Sequence, residues 1–183
     1  MNLVINNLGE LESLANSFAL LLKKKHMVLL SGDLGAGKTT FVYYLAKALG
    51  VKENVCSPTF TIINRYTVSG NGSFEKSPAA KSDKKTIPFK YIYHIDLYRL
   101  NSSQEIYDID LENYFSKDEA VFFIEWPEKM GIITPKEYLK LSFCFGDSDK
   151  DRKKDYNKRV ITLKALGRRH QVLLENVSKQ INI

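Results

Sequence analysis

The apolar positions of the chain follow two different spacings. Between residues 11 and 22 the apolar positions recur every three or four residues, which predicts an amphipathic helix. Asn7 and Glu10, just before this stretch, have the spacing of a capping box at the helix N-terminus. Helical patterns also cover residues 40–49, 103–115 and 172–177. Short apolar or alternating runs predict strands at residues 3–5, 27–30, the second half of 57–66, 91–96, 121–125, 138–145 and 159–166.

The order of these elements predicts the α/β class. Residues 91–96 and 121–125 are apolar on both faces, as is typical of buried parallel strands, whereas the last two predicted strands alternate. We therefore predict a mostly parallel central sheet flanked by helices, with antiparallel strand additions, in one domain over residues 1–183. Residues 67–89 are rich in Ser, Gly, Pro and Lys and predict a mobile insertion, and the charged run 147–158 predicts a hairpin loop.

Residues 32–39 read G-x-x-x-x-G-K-T between a predicted strand and a predicted helix. Glycines at these positions allow successive backbone N–H groups to point at phosphate oxygens, and the helix that follows adds a positive potential. Lys38 supplies a charge to the β- and γ-phosphates, and Thr39 supplies a hydroxyl for Mg²⁺. The pattern predicts the P-loop of an NTPase fold, with nucleotide contacts from Asp33, Leu34, Gly35, Ala36, Gly37, Lys38, Thr39 and Thr40.

Asp96 and Glu125 each end one of the two buried runs. Ligands of open α/β sheets bind at the carboxyl edge of the strands, where an acid holds the magnesium shell or orients the attacking water. Both residues are therefore candidates, together with Lys38, for catalytic roles, although a helix cap or an ion pair would also explain an acid there. His94 is interpreted as a structural histidine. Thr59, in the turn Ser57-Pro58-Thr59, is either a strand cap or part of a switch beside the nucleotide.

Composition narrows the class of protein. A hydrophobic content of 44% and an aromatic content of 11% are typical of a packed globule. The net charge of +6 favours anionic partners, but the basic residues are scattered. Cys56 and Cys144 are far apart, which argues against a disulfide framework and a structural zinc site. No signal-peptide pattern and no apolar run of roughly 18 residues occurs, so we expect a soluble cytoplasmic protein without membrane contact.

Four motifs together resemble the TsaE family, the bacterial P-loop ATPases of tRNA threonylcarbamoyladenosine biosynthesis. They are G-D-L-G-A-G-K-T-T at 32–40, S-P-T-F at 57–60, H-I-D-L-Y-R at 94–99 and I-E-W-P-E at 124–128. The resemblance implies ATP and Mg²⁺ as cofactors, Thr39 and Glu125 as the magnesium residues, and Asp96 beside the γ-phosphate. Residues 67–89 and 147–158 are longer than the usual family loops, so a partner surface near either could differ.

The same resemblance implies a set of partners. ATPase activity is expected to be weak until TsaD and TsaB are present, with TsaC or its equivalent supplying threonylcarbamoyl-adenylate. The modified nucleoside is the adenosine beside the anticodon of tRNAs reading codons that begin with A.

Two other functions use the same kind of loop. A small-molecule P-loop kinase usually closes an arginine-bearing lid over the phosphates, and the best lid candidate, residues 67–89, contains lysines but no arginine. A GTPase-like interaction module reads guanine through N-K-x-D, whereas here Asn157 and Lys158 are followed by Arg159 and Val160. An ATPase is therefore the leading hypothesis.

Overall fold

The computed structural model describes residues 1–69, 87–147 and 154–181. Its strands are β1 (Asn2–Ile5), β2 (Met27–Gly32), β3 (Ile63–Thr67), β4 (Tyr91–Asp96), β5 (Ala120–Glu125), β6 (Tyr138–Asp147) and β7 (Lys154–Leu166). Its helices are α1 (Leu8–Leu21), α2 (Lys38–Ala48), α3 (Ser103–Asp108), α4 (Leu111–Phe115) and α5 (Arg168–Gln180), with a 3₁₀ helix at Pro127–Ile133.

The described strands form one seven-stranded sheet in the order β1-β7-β6-β2-β5-β4-β3. Its four central strands, β6, β2, β5 and β4, are parallel neighbours. The strands β3, β7 and β1 pair antiparallel at the two sides. This mixed sheet with flanking helices confirms the predicted α/β class, and the antiparallel additions lie on both sides of the parallel centre.

Helices cover the sheet on two faces. Along β2, the side chains of Val28 and Leu30 join a core that includes residues of α1, α2 and α5. The alternate side chains of Met27 and Leu29 join a second core, under α3, α4 and the 3₁₀ helix. Because β2 is buried on both faces, its sequence is apolar without alternation, as expected of a central parallel strand.

Several element boundaries differ from the predictions. The predicted helix 103–115 is two short helices, because Asp110 adopts a left-handed conformation with φ +53°. The final helix, Arg168–Gln180, is longer than the predicted 172–177. Only a few of its side chains, including Leu173 and Val177, face the core, so the apolar pattern in the sequence marked only part of it. Strand β7 begins inside the predicted loop 147–158, whose residues 148–153 lie outside the described residues, as do residues 70–86 of the predicted insertion.

The N-terminus of α1 shows half of the predicted capping box. The side chain of Asn7 accepts a hydrogen bond from the backbone N–H of Glu10 at 3.0 Å. The Glu10 carboxylate accepts from the backbone N–H of Asn6 at 2.8 Å, one residue before the cap. Across the described ranges, none of the helices has the length and apolar character needed to cross a bilayer.

Candidate functional site

The chain leaves β2 through a loop that ends at the first turn of α2. Gly32, Gly35 and Gly37 in this loop have φ values of +131°, +75° and +107°, a region that side-chain-bearing residues rarely adopt. At Gly32 there is also no space, because a Cβ atom would lie 2.1 Å from the backbone oxygen of Phe143 on β6. The tight turn predicted from the glycines is present as a left-handed loop path, and the structure adds a close approach of Gly32 to β6 that the sequence did not indicate.

The side chain of Lys38 folds back onto this loop. Its Nζ donates to the backbone oxygens of Gly32 at 2.7 Å and Asp33 at 2.9 Å, and lies 4.3 Å from the centroid of the Trp126 ring. Burial lowers the pKa of the Lys38 ammonium below its ordinary value, while the carboxylates of Glu125 and Asp96 oppose the shift. The loop thus holds a buried cation that two nearby acids help to keep charged.

Asp96 and Glu125 meet at the carboxyl edge of the sheet, because they are direct partners in the parallel pairing of β4 and β5. Both are almost fully buried, at 3% and 2% exposure. Oε1 of Glu125 accepts a hydrogen bond from the Thr39 hydroxyl at 2.7 Å. Of the two candidate acids, Glu125 is therefore the one that contacts the hydroxyl of Thr39, the residue predicted to bind Mg²⁺.

Asp96 has different partners. Its Oδ2 accepts a hydrogen bond from the Thr59 hydroxyl, and its Oδ1 accepts from the backbone N–H of Tyr98 at 2.9 Å. The Thr59 hydroxyl is itself 2.6 Å from that of Ser57. The turn Ser57-Pro58-Thr59 is therefore hydrogen-bonded to Asp96 through Thr59.

The chain bends sharply between this turn and β3. Ile62 has φ +65°, which is costly for a β-branched side chain, and its backbone oxygen accepts the N–H of Asp96 at 2.9 Å. Backbone strain of this kind tends to be stored at functional sites. The strained residue lies three positions after Thr59, and both interpretations of Thr59 stay predictions.

His94 takes a larger part in the site than the sequence indicated. It is completely buried, and its Nε2 lies 2.8 Å from Oε1 of Glu125. Its Nδ1 has no hydrogen-bond partner among the described residues, so a proton on Nε2 that donates to the carboxylate satisfies the ring best. Its spacing in the sequence could have indicated this position, because His94 and Asp96 are two residues apart and so share one face of β4.

Two pockets open beside the glycine loop. One, of about 150 Å³, is lined by Lys38, Thr39, Asp96, Glu125 and their neighbours. The other, of about 820 Å³, is lined by residues of the β1–α1 connection and of β7. Both are also lined by Gly35, Gly37 and Thr40. A single ligand lying along the loop would reach both pockets.

Comparison with known proteins identifies the family. The sequence profile described as "Threonylcarbamoyl adenosine biosynthesis protein TsaE" matches residues 5–154. The chain belongs to the TsaE family. All four motifs lie inside the matched range, and so do all the candidate site residues.

Two relatives named "tRNA threonylcarbamoyladenosine biosynthesis protein TsaE" show the extent of the similarity. The TsaE protein of Bacillus subtilis (strain 168) is 32% identical over 177 residues, which are 97% of this chain and 93% of the relative. That of Nostoc sp. is 40% identical over 124 residues, which are 66% of this chain and 64% of the relative. The Bacillus alignment therefore extends over nearly the whole of both proteins.

A solved structure has the same architecture. The crystal structure of Bacillus subtilis YdiB superposes with a TM-score of 0.71 at 27% identity, covering 100% of this chain and 96% of that chain.

Proposed function

We propose that this TsaE-family protein binds ATP with Mg²⁺ and hydrolyses it within the machinery that makes threonylcarbamoyladenosine in tRNA. The observation that carries the proposal is the meeting of Thr39, Asp96 and Glu125 beside the glycine loop. The names of the relatives support the pathway, and the motif chemistry supports the nucleotide.

The two pockets suit a nucleoside triphosphate. The small pocket contains the ammonium of Lys38 and is adjacent to the N-terminus of α2, both of which favour phosphate. The large pocket has the volume for a nucleoside and mixes apolar side chains such as Ile5 with the polar groups of Asn6 and Asn157. Each loop residue from Leu34 to Thr40 lines one or both pockets, which supports the proposed phosphate contacts, whereas Asp33 lines neither.

Thr39 and Glu125 fit a magnesium ion. They offer a hydroxyl and a carboxylate, the hard oxygen ligands that Mg²⁺ prefers, and the ion commonly takes its other ligands from water and phosphate. The described ranges hold no cluster of three or more His, Cys, Asp and Glu side chains that could bind a metal. When bound, the ion offsets charge on the β- and γ-phosphates during hydrolysis.

The protein's own residues have separate tasks in this proposal. Lys38 leaves the loop carbonyls and neutralises phosphate charge, and Glu125 keeps the Thr39 hydroxyl oriented through their hydrogen bond. Asp96 orients the attacking water, because it is buried near the phosphate loop and is not bonded to Thr39. The Thr59 hydroxyl fixes the Asp96 carboxylate, so movement of the 57–60 turn would change hydrolysis.

Partner dependence follows from the family. We propose that TsaD and TsaB stimulate a weak intrinsic ATPase, and that the protein reaches tRNAs reading codons that begin with A through this complex. The small-molecule kinase remains the alternative. Its expected lid, residues 67–89, lies mostly outside the described residues.

The decisive experiment is ATP turnover with and without the cognate TsaD–TsaB complex. Turnover should rise on addition of the complex, and Lys38→Ala should give no turnover in either condition, which controls for contaminating ATPases. Wild-type turnover that is unchanged by the partners would refute the proposal, and a phosphorylated metabolite in a substrate screen would support the kinase instead.

A further inference from the structure

The glycine loop is contacted by a basic side chain from β7, on the antiparallel side of the sheet. Arg159 lies on β7, and its Nε donates to the backbone oxygen of Ala36 at 3.0 Å. Its Nη2 lies 3.4 Å from the backbone oxygen of Gly35, and the guanidinium centre is 4.5 Å from the centroid of the Phe145 ring. One side chain thus contacts two successive carbonyls of the loop while stacking on an aromatic ring.

These contacts affect the direction of the loop amides. In a trans peptide the C=O and N–H groups point in opposite directions. Carbonyls of Gly35 and Ala36 that face Arg159 therefore turn the N–H groups of Ala36 and Gly37 away from it. The Ala36 N–H is turned into the loop, where it donates to the backbone oxygen of Asp33 at 3.2 Å. Inward-turned amides of this kind form the concavity that binds phosphate in such loops. Gly35 and Gly37 have no side chain that restricts φ and ψ. An external contact that fixes their peptide groups therefore adds to the backbone hydrogen bonds of Ala36 to Asp33 and of Phe41 to Gly37, and it reduces the ordering cost of ligand binding.

Arginine suits this position better than lysine. Its planar group presents several N–H donors in a fixed fork and stacks on aromatic rings, whereas a lysine ammonium does neither. Lys38 and Arg159, the two cations that contact the loop, also differ in how readily they can move to a ligand. Lys38 holds the carbonyls of Gly32 and Asp33 and is the group expected to move to phosphate. Arg159 is anchored by Phe145 and by the backbone oxygen of Lys158, at 3.1 Å, so it can stay in place.

We infer that Arg159 is a positioning residue that keeps the phosphate loop in its binding conformation before nucleotide arrives. The inference rests on the proposed function, because it assumes that the loop binds nucleotide. Arg159 also lines the large pocket proposed for the nucleoside, and it lies on β7, a strand outside the parallel centre of the sheet. None of the four family motifs includes this residue.

The test compares Arg159→Met, Arg159→Lys and the control Lys164→Met, which removes one positive charge from an exposed position on the same strand. Binding of MgADP and MgATP is titrated for each protein, and hydrogen exchange of the Ala36 and Gly37 amides is measured without nucleotide. We expect Arg159→Met to weaken binding about tenfold or more and to speed exchange, as loss of charged hydrogen bonds would. Arg159→Lys should recover only part of the affinity, and Lys164→Met should resemble the wild type.

Kinetics separate positioning from a general structural role. Loss of a preordered loop should raise KM for ATP and leave kcat within about twofold, because the contact acts equally on bound substrate and transition state. Unchanged affinity in folded Arg159→Met would overturn the inference, and so would an affinity loss equal to that of Lys164→Met. A weaker affinity with wild-type exchange of the Ala36 and Gly37 amides would also overturn it, because it would indicate direct contact of Arg159 with nucleotide. If Arg159→Met does not fold, Arg159→Lys decides, and wild-type affinity and exchange in that variant would overturn the inference. A wild-type protein that binds no nucleotide would instead refute the proposed function.

Discussion

The hydroxyl of Thr39 donates to Oε1 of Glu125 at 2.7 Å and so joins the first turn of α2 to the end of β5. The same oxygen lies 2.8 Å from Nε2 of His94 on β4. Three elements that are distant in sequence therefore converge on one carboxylate oxygen. The arrangement leads to specific expectations for Glu125 and for the neighbouring acid.

Replacing the two acids should separate their roles. Glu125→Gln removes the carboxylate charge near Thr39, so the Mg²⁺ concentration for half-maximal turnover should rise, and turnover should fall about 100-fold. Asp96→Asn should lower turnover to a similar degree with an unchanged Mg²⁺ requirement, because its proposed task is to orient water. Magnesium titrations of partner-stimulated turnover check this. Wild-type turnover in both variants would rule out these roles.

Thr59→Val should reduce kcat because it removes the hydrogen bond that fixes the Asp96 carboxylate. We expect a loss of about tenfold, the scale of one hydrogen bond, with little change in ATP affinity. The control is Thr61→Val just after this turn, whose hydroxyl donates to Asn64 at 2.8 Å and to the backbone oxygen of Pro58 at 3.4 Å, and not to Asp96. Equal effects of the two variants on kcat would show that the turn, not the Asp96 contact, matters.

Gly32→Ala should destabilise the fold, since the added Cβ would lie 2.1 Å from the Phe143 oxygen at a φ of +131°. We expect a loss of unfolding free energy of about 3 kcal/mol, beyond the cost of positive φ alone. Gly131→Ala is the matched control, because its φ is +54° and no atom lies within 4 Å of its Cβ position. That substitution should cost about 1–2 kcal/mol, the backbone strain without a collision. Urea unfolding measures both, and comparable losses would contradict the proposed collision.

Two buried histidines should make the protein less stable in mild acid. Burial and the neighbouring His170 lower the pKa of His26 to about 3, and burial lowers the pKa of His170 to about 4, from 6.5. Both rings accept backbone N–H groups, at 3.0 Å from Lys23 and 3.1 Å from Met27, and so must stay neutral.

The sign follows from proton uptake. Between about pH 6.5 and 4 the unfolded chain binds protons that the folded histidines do not, so stability falls as pH falls, by at most about 1.4 kcal/mol per pH unit for each histidine. His170→Gln keeps a carbonyl acceptor without titrating in this range. Urea unfolding at several pH values should show a shallower slope for this variant, and an identical slope would exclude His170 as a contributor.

Trp126, the only tryptophan, should report nucleotide binding. Its ring lies 4.3 Å from Nζ of Lys38 and 5.0 Å from the ring of Tyr98. Movement of the ammonium to phosphate would change the surroundings of the indole, so its fluorescence should change on MgATP addition. Lys38→Ala should abolish the response. A silent signal during binding confirmed by calorimetry would show that Lys38 does not leave the ring.

Local patterns predicted the parts of the site that lie within single elements. The glycine loop and the acid ends of β4 and β5 follow from spacing and from burial on both faces. The sequence could not say which acid contacts Thr39, because that depends on the parallel register that makes Asp96 and Glu125 partners. His94 and Arg159 were missed for the same reason, since their contacts come from elements 31 and 123 positions away in sequence.

The position of β2 in the strand order has a mechanical consequence. The loop leaves the middle strand of the sheet, with Glu125 on the adjacent strand to one side and Arg159 two strands away on the other. A twist of one half of the sheet against the other would therefore change the distance between the Arg159 guanidinium and the Glu125 carboxylate, which lie on opposite sides of β2. A partner protein that binds β1 or β3, the two edge strands, would in this way change the geometry of the phosphate-binding loop without contacting it.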